Sequence, residues 1–184
     1  MEKKDCKILV DAMFGKLGKF LRILGFDTKI ADNALKDPKV MQQAIRENRL
    51  LITRDEPFYI TAKNHYEKED LNEDKLIYIP HQDLEHQLAV FFKSMDIDPS
   101  EFKWKGPDIK PFDSNCTKCN SDLEKVPKQQ IISEIPKGTS KRYNNYWRCT
   151  NPKCHHIYWI GTAHWEDIFK KIKAAVSLMD EVEI

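Results

Sequence analysis

The chain has 184 residues, enough for one substantial core and a small second module, and its 30 Lys and Arg nearly cancel its 29 Asp and Glu. No apolar run approaches the roughly 20 residues that span a bilayer, and the charged start MEKKDCKILVD has no signal-peptide core. The expectation is a cytoplasmic protein with no membrane contact, in which clustered cysteines favour metal over disulfides. Net charge names no partner, but residues 103–153 hold 11 basic and 5 acidic side chains, which suits nucleic acid as well as a plain solvated surface.

Lys7–Val10 is a short apolar run that suits a strand buried in a sheet, and Asp11 stands where it would end. Met13, Leu17, Phe20, Leu21 and Leu24 then recur at steps of three and four, the apolar face of a helix. Lys16, Lys19 and Arg22 line its polar flank, and Gly25 sits at the left-handed C-cap. Residues 28–31 read as a second strand. Asp37-Pro38 gives an N-cap and a first helical residue, and Val40, Met41, Ala44 and Ile45 continue one face. Leu50–Thr53 is a third strand, closing in Arg54-Asp55, with a weaker helix around residues 58–64. Residues 75–79 form a fourth strand, and Asp83 caps a helix striped by Leu84, Leu88, Phe91, Phe92 and Met95. Strands alternating with helices imply crossover units and a parallel α/β sheet covered on both faces. Pro99, Pro107 and Pro111 mark residues 96–114 as a linker or wrapping segment. Beyond it come β-like runs at 130–135, 143–149 and 156–160. A last amphipathic helix over 165–179 has Trp165, Ile168, Phe169, Ile172, Val176 and Met179 on one side.

In an open parallel sheet, functional groups gather at the carboxyl ends of the strands. Asp11, Asp37, Asp55, Asp83 and Glu85 all belong to that edge. Carboxylates crowded there repel one another and call for a divalent cation to share. Mg²⁺ or Mn²⁺ held by such oxygens activates water for phosphodiester hydrolysis. Each acid also has a structural reading: Asp37 and Asp83 as caps, Glu85 as a partner of the helix dipole, Asp55 as a turn residue. Asp11 has none. A receiver domain of two-component signalling shares part of this pattern, but it wants a second acid where Ala12 stands and a final Lys-bearing strand that is missing.

Cys116-x₂-Cys119 and Cys149-x₄-Cys154 are two close pairs whose four thiolates complete a tetrahedral, structural Zn²⁺ site. His155 and His156 are fallback ligands, and Cys6 is left over as a small apolar residue. Lys137, Lys141, Arg142 and Arg148, interleaved with Tyr143, Tyr146 and Trp147, make a surface that can contact phosphates and stack on bases. Some of those aromatics must pack the ribbon's core, so only a subset can serve RNA.

Taken together, Val10-Asp11-Ala12-Met13, Leu21-Arg22, Gly25-Phe26-Asp27 and Thr53-Arg54-Asp55 resemble PIN-like ribonucleases. Cys116-Thr-Lys-Cys119-Asn120 with Cys149 and Tyr158-Trp159-Ile160-Gly161 resembles the subgroup named for the C-terminal RNase domain of the mutator exonuclease. The resemblance implies a Mg²⁺- or Mn²⁺-dependent endoribonuclease leaving 5′-phosphate and 3′-hydroxyl ends. It implies Asp11, Asp37 and Asp55 as metal-binding carboxylates, and a fourth acid at Asp83 or Glu85. The chain departs from the pattern in its longer second cysteine pair, in Gly161-Thr162-Ala163-His164, and in Gly18, where Ala is usual. The reading is a PIN-like nuclease domain over 1–95, a linker over 96–114, and a zinc ribbon with a C-terminal helix over 115–184. Lys16, Lys19, Arg22 and Arg54 are the candidates for substrate phosphates. The alternative is a non-catalytic RNA- or ribosome-binding module, and a regulatory protein partner fits either reading.

Overall fold

The computed structural model describes residues 6–80, 83–102, 113–159 and 161–184. Strands β1 (Lys7–Val10), β2 (Asp27–Ile30), β3 (Leu50–Thr53) and β4 (Leu76–Tyr78) pair in parallel in the order β2-β1-β3-β4. Helices α1 (Gly15–Ile23), α2 (Asp37–Arg46) and α3 (Glu56–Lys68) make the crossovers, and α4 (Leu84–Ser94) follows β4.

Alternation along each strand divides the core into two layers. Ile8, Val10, Leu50, Ile52 and Ile77 meet Leu17 and Leu21 of α1 and Leu88 and Phe91 of α4. Leu9, Leu51 and Leu76 point the other way, onto Val40, Met41 and Ala44 of α2 and Phe58, Ala62 and Tyr66 of α3. Both faces are covered, which is why β1 and β3 are apolar along their length instead of alternating in polarity. The chain leaves β1 for β2 by way of α1 on one face, then returns past β1 to β3 by way of α2 on the other. The boundary between β1 and β3 is therefore the topological switch point, where the flanking helices diverge at the carboxyl ends of the strands.

The end of α1 is a Schellman turn, as the sequence leads one to expect. The amides of Gly25 and Phe26 donate to the carbonyls of Arg22 (3.2 Å) and Leu21 (3.0 Å), with Gly25 at φ 95°. Gly18 permits close approach: a Cβ there would lie 2.7 Å from Ile30 Cγ1 and 2.9 Å from Val10 Cγ2. An alanine at this position would push α1 off the β1–β2 edge unless both Ile30 and Val10 gave way.

Several local expectations are corrected. A 3₁₀ turn over Ala12–Phe14 precedes α1 and lifts Met13 off the apolar face, leaving it 55% exposed. Asp37 is the first residue of α2, not its cap; Lys36 holds the cap position and no side chain bonds there. The third helix runs well beyond 58–64 at both ends, because Asp55 caps it and Pro57 lies in its first turn.

The expected linker is partly outside the described residues, Pro107 and Pro111 included. On its near side a 3₁₀ turn at Pro99–Glu101 leads buried Phe102 into the core. On its far side the Ser114 hydroxyl donates to Ile23 O (2.7 Å) and the Asn115 amide to Arg22 O (2.8 Å). Next comes an antiparallel sheet in the order β5-β6-β7: β5 (Leu123–Val126), β6 (Tyr146–Cys149) and β7 (Ile157–Trp159). The strand expected at 130–135 is instead α5 (Lys128–Ile131) and a turn, followed by α6 (Lys137–Arg142). Ile131 at the end of α5 and Ile135 in the turn after it both pack with Val126 and Tyr146, so the turn, not a strand, brings the two isoleucines to one core. Ile160, expected at the end of the last strand, lies outside the described residues.

Helix α7 (Thr162–Leu178) buries Trp165, Ile168, Ile172 and Ala175 in the core shared by α1 and α4. Val176, expected on that face, is 43% exposed. No helix among the described residues is long and apolar enough to cross a membrane.

Candidate active site and metal centre

Because β1 and β3 are adjacent and parallel, the residues just past their carboxyl ends fall side by side. The Asp11 amide donates to Ile52 O (2.9 Å). The Thr53 hydroxyl donates to Asp11 Oδ2 (3.0 Å) and accepts from the Asp55 amide (3.1 Å). Thr53 is 1% exposed, so a buried hydroxyl ties together two half-buried acids. Asp55 also caps α3, its Oδ1 accepting from the Phe58 amide (2.9 Å). Each acid thus commits one oxygen to the protein and keeps the other without a protein partner among the described residues. The sequence places Thr53 at the end of the third strand and in the Thr53-Arg54-Asp55 motif, but assigns it no role; the pairing of β1 with β3 is what gives it one.

Asp37 is exposed in the first turn of α2, with no cap bond and no protein partner among the described residues. Asp32, which the sequence reading did not single out, lies on the same edge. The Ala31 amide continues the sheet to Val10 O (2.9 Å), and Asp32 Oδ1 then accepts the Ala34 amide (2.9 Å). Asp83 caps α4 through the His86 amide (3.0 Å), and its Oδ1 also lies 2.7 Å from His86 Nδ1. Burial alone would raise the Asp83 pKa; the bonds to His86 outweigh it, and the net shift is downward. Asp83 and Glu85 follow the outermost strand, not the switch point.

The acids form an open edge and not a cage. Among the described residues, the one group of at least three Cys, His, Asp or Glu side chains with ligand atoms within 4.8 Å of one another is Cys116, Cys119, Cys149 and Cys154. An open set of carboxylate oxygens suits a hydrated hard cation such as Mg²⁺, which keeps several waters and takes one or two carboxylates besides phosphate oxygens.

Lys16 is exposed in the first turn of α1, Lys19 is exposed one turn on, and Arg54 is half-exposed between Thr53 and Asp55. Arg22, expected among the phosphate contacts, is placed elsewhere. Two helical turns carry it about 10 Å toward the far end of α1. There it is 6% exposed, with Nε donating to Thr28 O and Nη1 to Thr117 O, both at 2.8 Å.

Thr117 belongs to the first cysteine knuckle. Zn–S bonds of about 2.3 Å set tetrahedral sulfurs roughly 3.8 Å apart; Cys116 and Cys154 stand at 3.7 Å and Cys119 and Cys149 at 3.3 Å. The four soft donors therefore fit Zn²⁺. Residues of positive φ follow each knuckle, Asn120 at 69° and His155 at 46°, and turn the chain away from the sulfurs. The longer spacing of the second pair is absorbed by a turn in which Asn151 Oδ1 accepts the Lys153 amide and Asn151 O the Cys154 amide, each at 2.9 Å. Burial tends to raise the Cys119 thiol, but hydrogen bonds with Ser121 outweigh it and bring its pKa to about 6; burial pushes Cys149 up. The Tyr158 oxygen accepts the Thr117 amide at 3.0 Å, leaving its hydrogen for Cys116 Sγ at 3.1 Å. The fallback ligands His155 and His156 lie outside this group, and His156 packs edge-on against Tyr158.

The first knuckle also docks on the sheet. Asn120 Oδ1 accepts the Thr28 amide of edge strand β2 (3.0 Å), and its Nδ2 donates to Asp27 Oδ1 (2.7 Å). Asp27 is held in turn by Arg49 Nη1 (2.9 Å), whose Nε donates to Glu47 Oε2 (2.7 Å). Of the aromatics expected to meet RNA, Tyr146 and Trp147 are buried. Arg148 pairs with Glu134.

No curated protein matches the chain. A family model described as the Mut7-C RNAse domain matches residues 6–172, a span that takes in the parallel sheet, the cysteine centre and more than half of α7. That family is one of RNase domains, so the fold just described is a nuclease-type hydrolase fold with a cysteine site able to hold zinc. The chain belongs to the Mut7-C RNAse domain family.

Proposed function

We propose that this protein is a Mg²⁺- or Mn²⁺-dependent endoribonuclease that hydrolyses RNA phosphodiester bonds to 5′-phosphate and 3′-hydroxyl ends. The observation that carries the reading is the Asp11–Thr53–Asp55 bridge at the switch point of a parallel sheet, in a chain of an RNase family. Asp11, Asp37 and Asp55 would hold the cation, each with an oxygen that no described protein group occupies. When bound, the cation offsets phosphate charge and lowers the pKa of water. The protein's own part is to orient: the Thr53 hydroxyl fixes one oxygen of Asp11 and the Phe58 amide one of Asp55, so that the other oxygen of each would be presented to the cation. Lys16, Lys19 and Arg54 grip the phosphates on either side. The cysteine site holds structural Zn²⁺ and stays closed to substrate. Four cysteines gathered for Zn²⁺, with no disulfide among the five, fit a reducing cytoplasm, the location that goes with this reading.

The test is cleavage of defined RNAs by zinc-loaded protein with Mg²⁺ or Mn²⁺, beside folded Asp11→Asn and Asp55→Asn variants. Products from the parent, at least 100-fold fewer from each variant, are the expected result. Equal activity in all three would sink the assigned site. RNA binding without products would assign the chain to a non-catalytic RNA- or ribosome-binding module.

A further inference from the structure

The second module carries charge that its own structure does not use. Lys137, Lys141 and Arg142 all lie on α6, all exposed and none with an acidic partner among the described residues. The neighbouring acid, Glu134, is already paired with Arg148. An exposed aromatic stands beside this helix. In the ribbon sheet Val126, Tyr146 and Trp159 are direct cross-strand partners and so share a face. Val126 and Tyr146 are buried there under α5 and α6; Trp159, at the outer strand, is 39% exposed. Tyr146 reaches α6 through its hydroxyl, 3.2 Å from Thr139 O and 2.9 Å from Tyr143 O. The start of α7 approaches the end of the same helix: a Cβ on Gly161, the α7 N-cap, would come within 2.9 Å of the hydroxyl of Tyr143, the residue that ends α6. An indole face and three unpaired cations thus flank one small core.

Phosphates attract the cations whatever the sequence, and an exposed ring accepts any unpaired base. A duplex offers no such base, so the pairing of the two features selects for single strands. We propose that α6 and β7 form a single-stranded RNA subsite in which Lys137, Lys141 and Arg142 bind consecutive phosphates and Trp159 stacks on a base. The inference rests on the ribonuclease reading and adds where the substrate strand is held. Because the subsite lies on the ribbon and the acids on the parallel sheet, its effect is on binding of RNA long enough to touch both.

The experiment measures binding of a labelled 12-nucleotide oligouridine to the zinc-loaded full chain, without Mg²⁺ or Mn²⁺, between 50 and 200 mM salt. Changing Lys137, Lys141 and Arg142 together to Gln should weaken binding about tenfold or more and flatten the slope of log K against log salt by about 2, since each lost phosphate contact on a single strand removes roughly 0.7. Trp159→Leu should weaken binding about tenfold with the slope unchanged, and Trp159→Phe should recover most of that loss. Parental affinity and slope in the triple variant, or equal affinity for a duplex of the same length, would overturn the subsite. Cleavage by the parent in a parallel Mg²⁺ reaction separates the two failures: products with unaltered variant binding overturn the subsite alone. A parent that neither binds nor cleaves RNA overturns the ribonuclease reading and the subsite with it.

Discussion

Arg22 is the side chain whose replacement tests how the two modules are joined. The residue is 6% exposed, has no carboxylate within ion-pair distance among the described residues, and donates to Thr28 O on β2 and Thr117 O in the first knuckle, both at 2.8 Å. Burial lowers its pKa, and Cys116 and Cys119, followed by Tyr158 and Asp27, oppose that shift, so the cysteine cluster leads the groups that offset the buried charge. Four thiolates around Zn²⁺ leave a net negative site, which persists as long as the metal is bound. Arg22→Met keeps the stem and removes two charge-assisted hydrogen bonds, about 1.5–3 kcal/mol each. Relief of the guanidinium's own desolvation offsets part of that, leaving a net loss of about 2–4 kcal/mol. For a chain of this size, that is a fall of about 5–15 °C in Tm. Thermal melts of zinc-loaded parent and variant read the first effect, and a competition titration with a zinc chelator reads the second: the variant should release zinc at lower chelator. Arg22→Lys, which keeps the charge without the two-armed geometry, should hold zinc better than Arg22→Met while melting below the parent. A Met variant within 2 °C of the parent and equal to it in zinc retention would refute the argument.

Thr53→Val, which keeps the shape and deletes the hydroxyl, should cost about 2 kcal/mol and at least tenfold in cleavage, whereas Thr53→Ser should retain both; equal loss in the two variants would show that the bridge is not the cause. Glu47 is held at about 2, below its ordinary 4.5, chiefly by Lys29 Nζ and then by Arg49. A depressed acid contributes stability above its unfolded pKa and loses it as pH falls toward the folded value, so the contribution fades from about pH 4.5 to about pH 2. Glu47→Gln should therefore narrow the difference in urea stability between pH 6 and pH 3 by about 1–2 kcal/mol after allowance for solvent screening, and an unchanged difference would refute the linkage. Gly18→Ala should lower Tm even though alanine is the better helix former, by about 1–3 kcal/mol of overpacking against Ile30. In the Ile30→Ala background the same change should cost less, because only the 2.9 Å approach to Val10 Cγ2 remains, and a double-mutant cycle without coupling would reject the Ile30 contact.

What the sequence made legible follows from the range of the physics behind it. The buried runs of β1 and β3, the stripes on α1, α2 and α4, the Gly25 turn and the Asp83 cap are fixed by residues within a turn or two of one another, and they appear where periodicity puts them. The acids were legible one at a time, yet their relation was not: only the parallel pairing of β1 with β3 sets Thr53 Oγ1 between Asp11 and Asp55. The α5–α6 segment misled because Ile131, Ile132 and Ile135 look like strand residues by composition, whereas α5 ends at Ile131 and a turn carries Ile135 back beside it onto Val126 and Tyr146. Arg22 shows where local pattern stops being informative. On a helical wheel it is a polar residue on the flank of an amphipathic helix, one of a row with Lys16 and Lys19, and nothing within α1 distinguishes the three. Its burial is decided 95 positions later by a knuckle whose carbonyl it meets. The same docking gives the edge amide of Thr28 its partner in Asn120, 92 positions away. A flank that reads as solvated can thus be the floor of a second module whenever the chain beyond it carries carbonyls and anions to match. Here the cysteines, the most legible motif in the chain, place both.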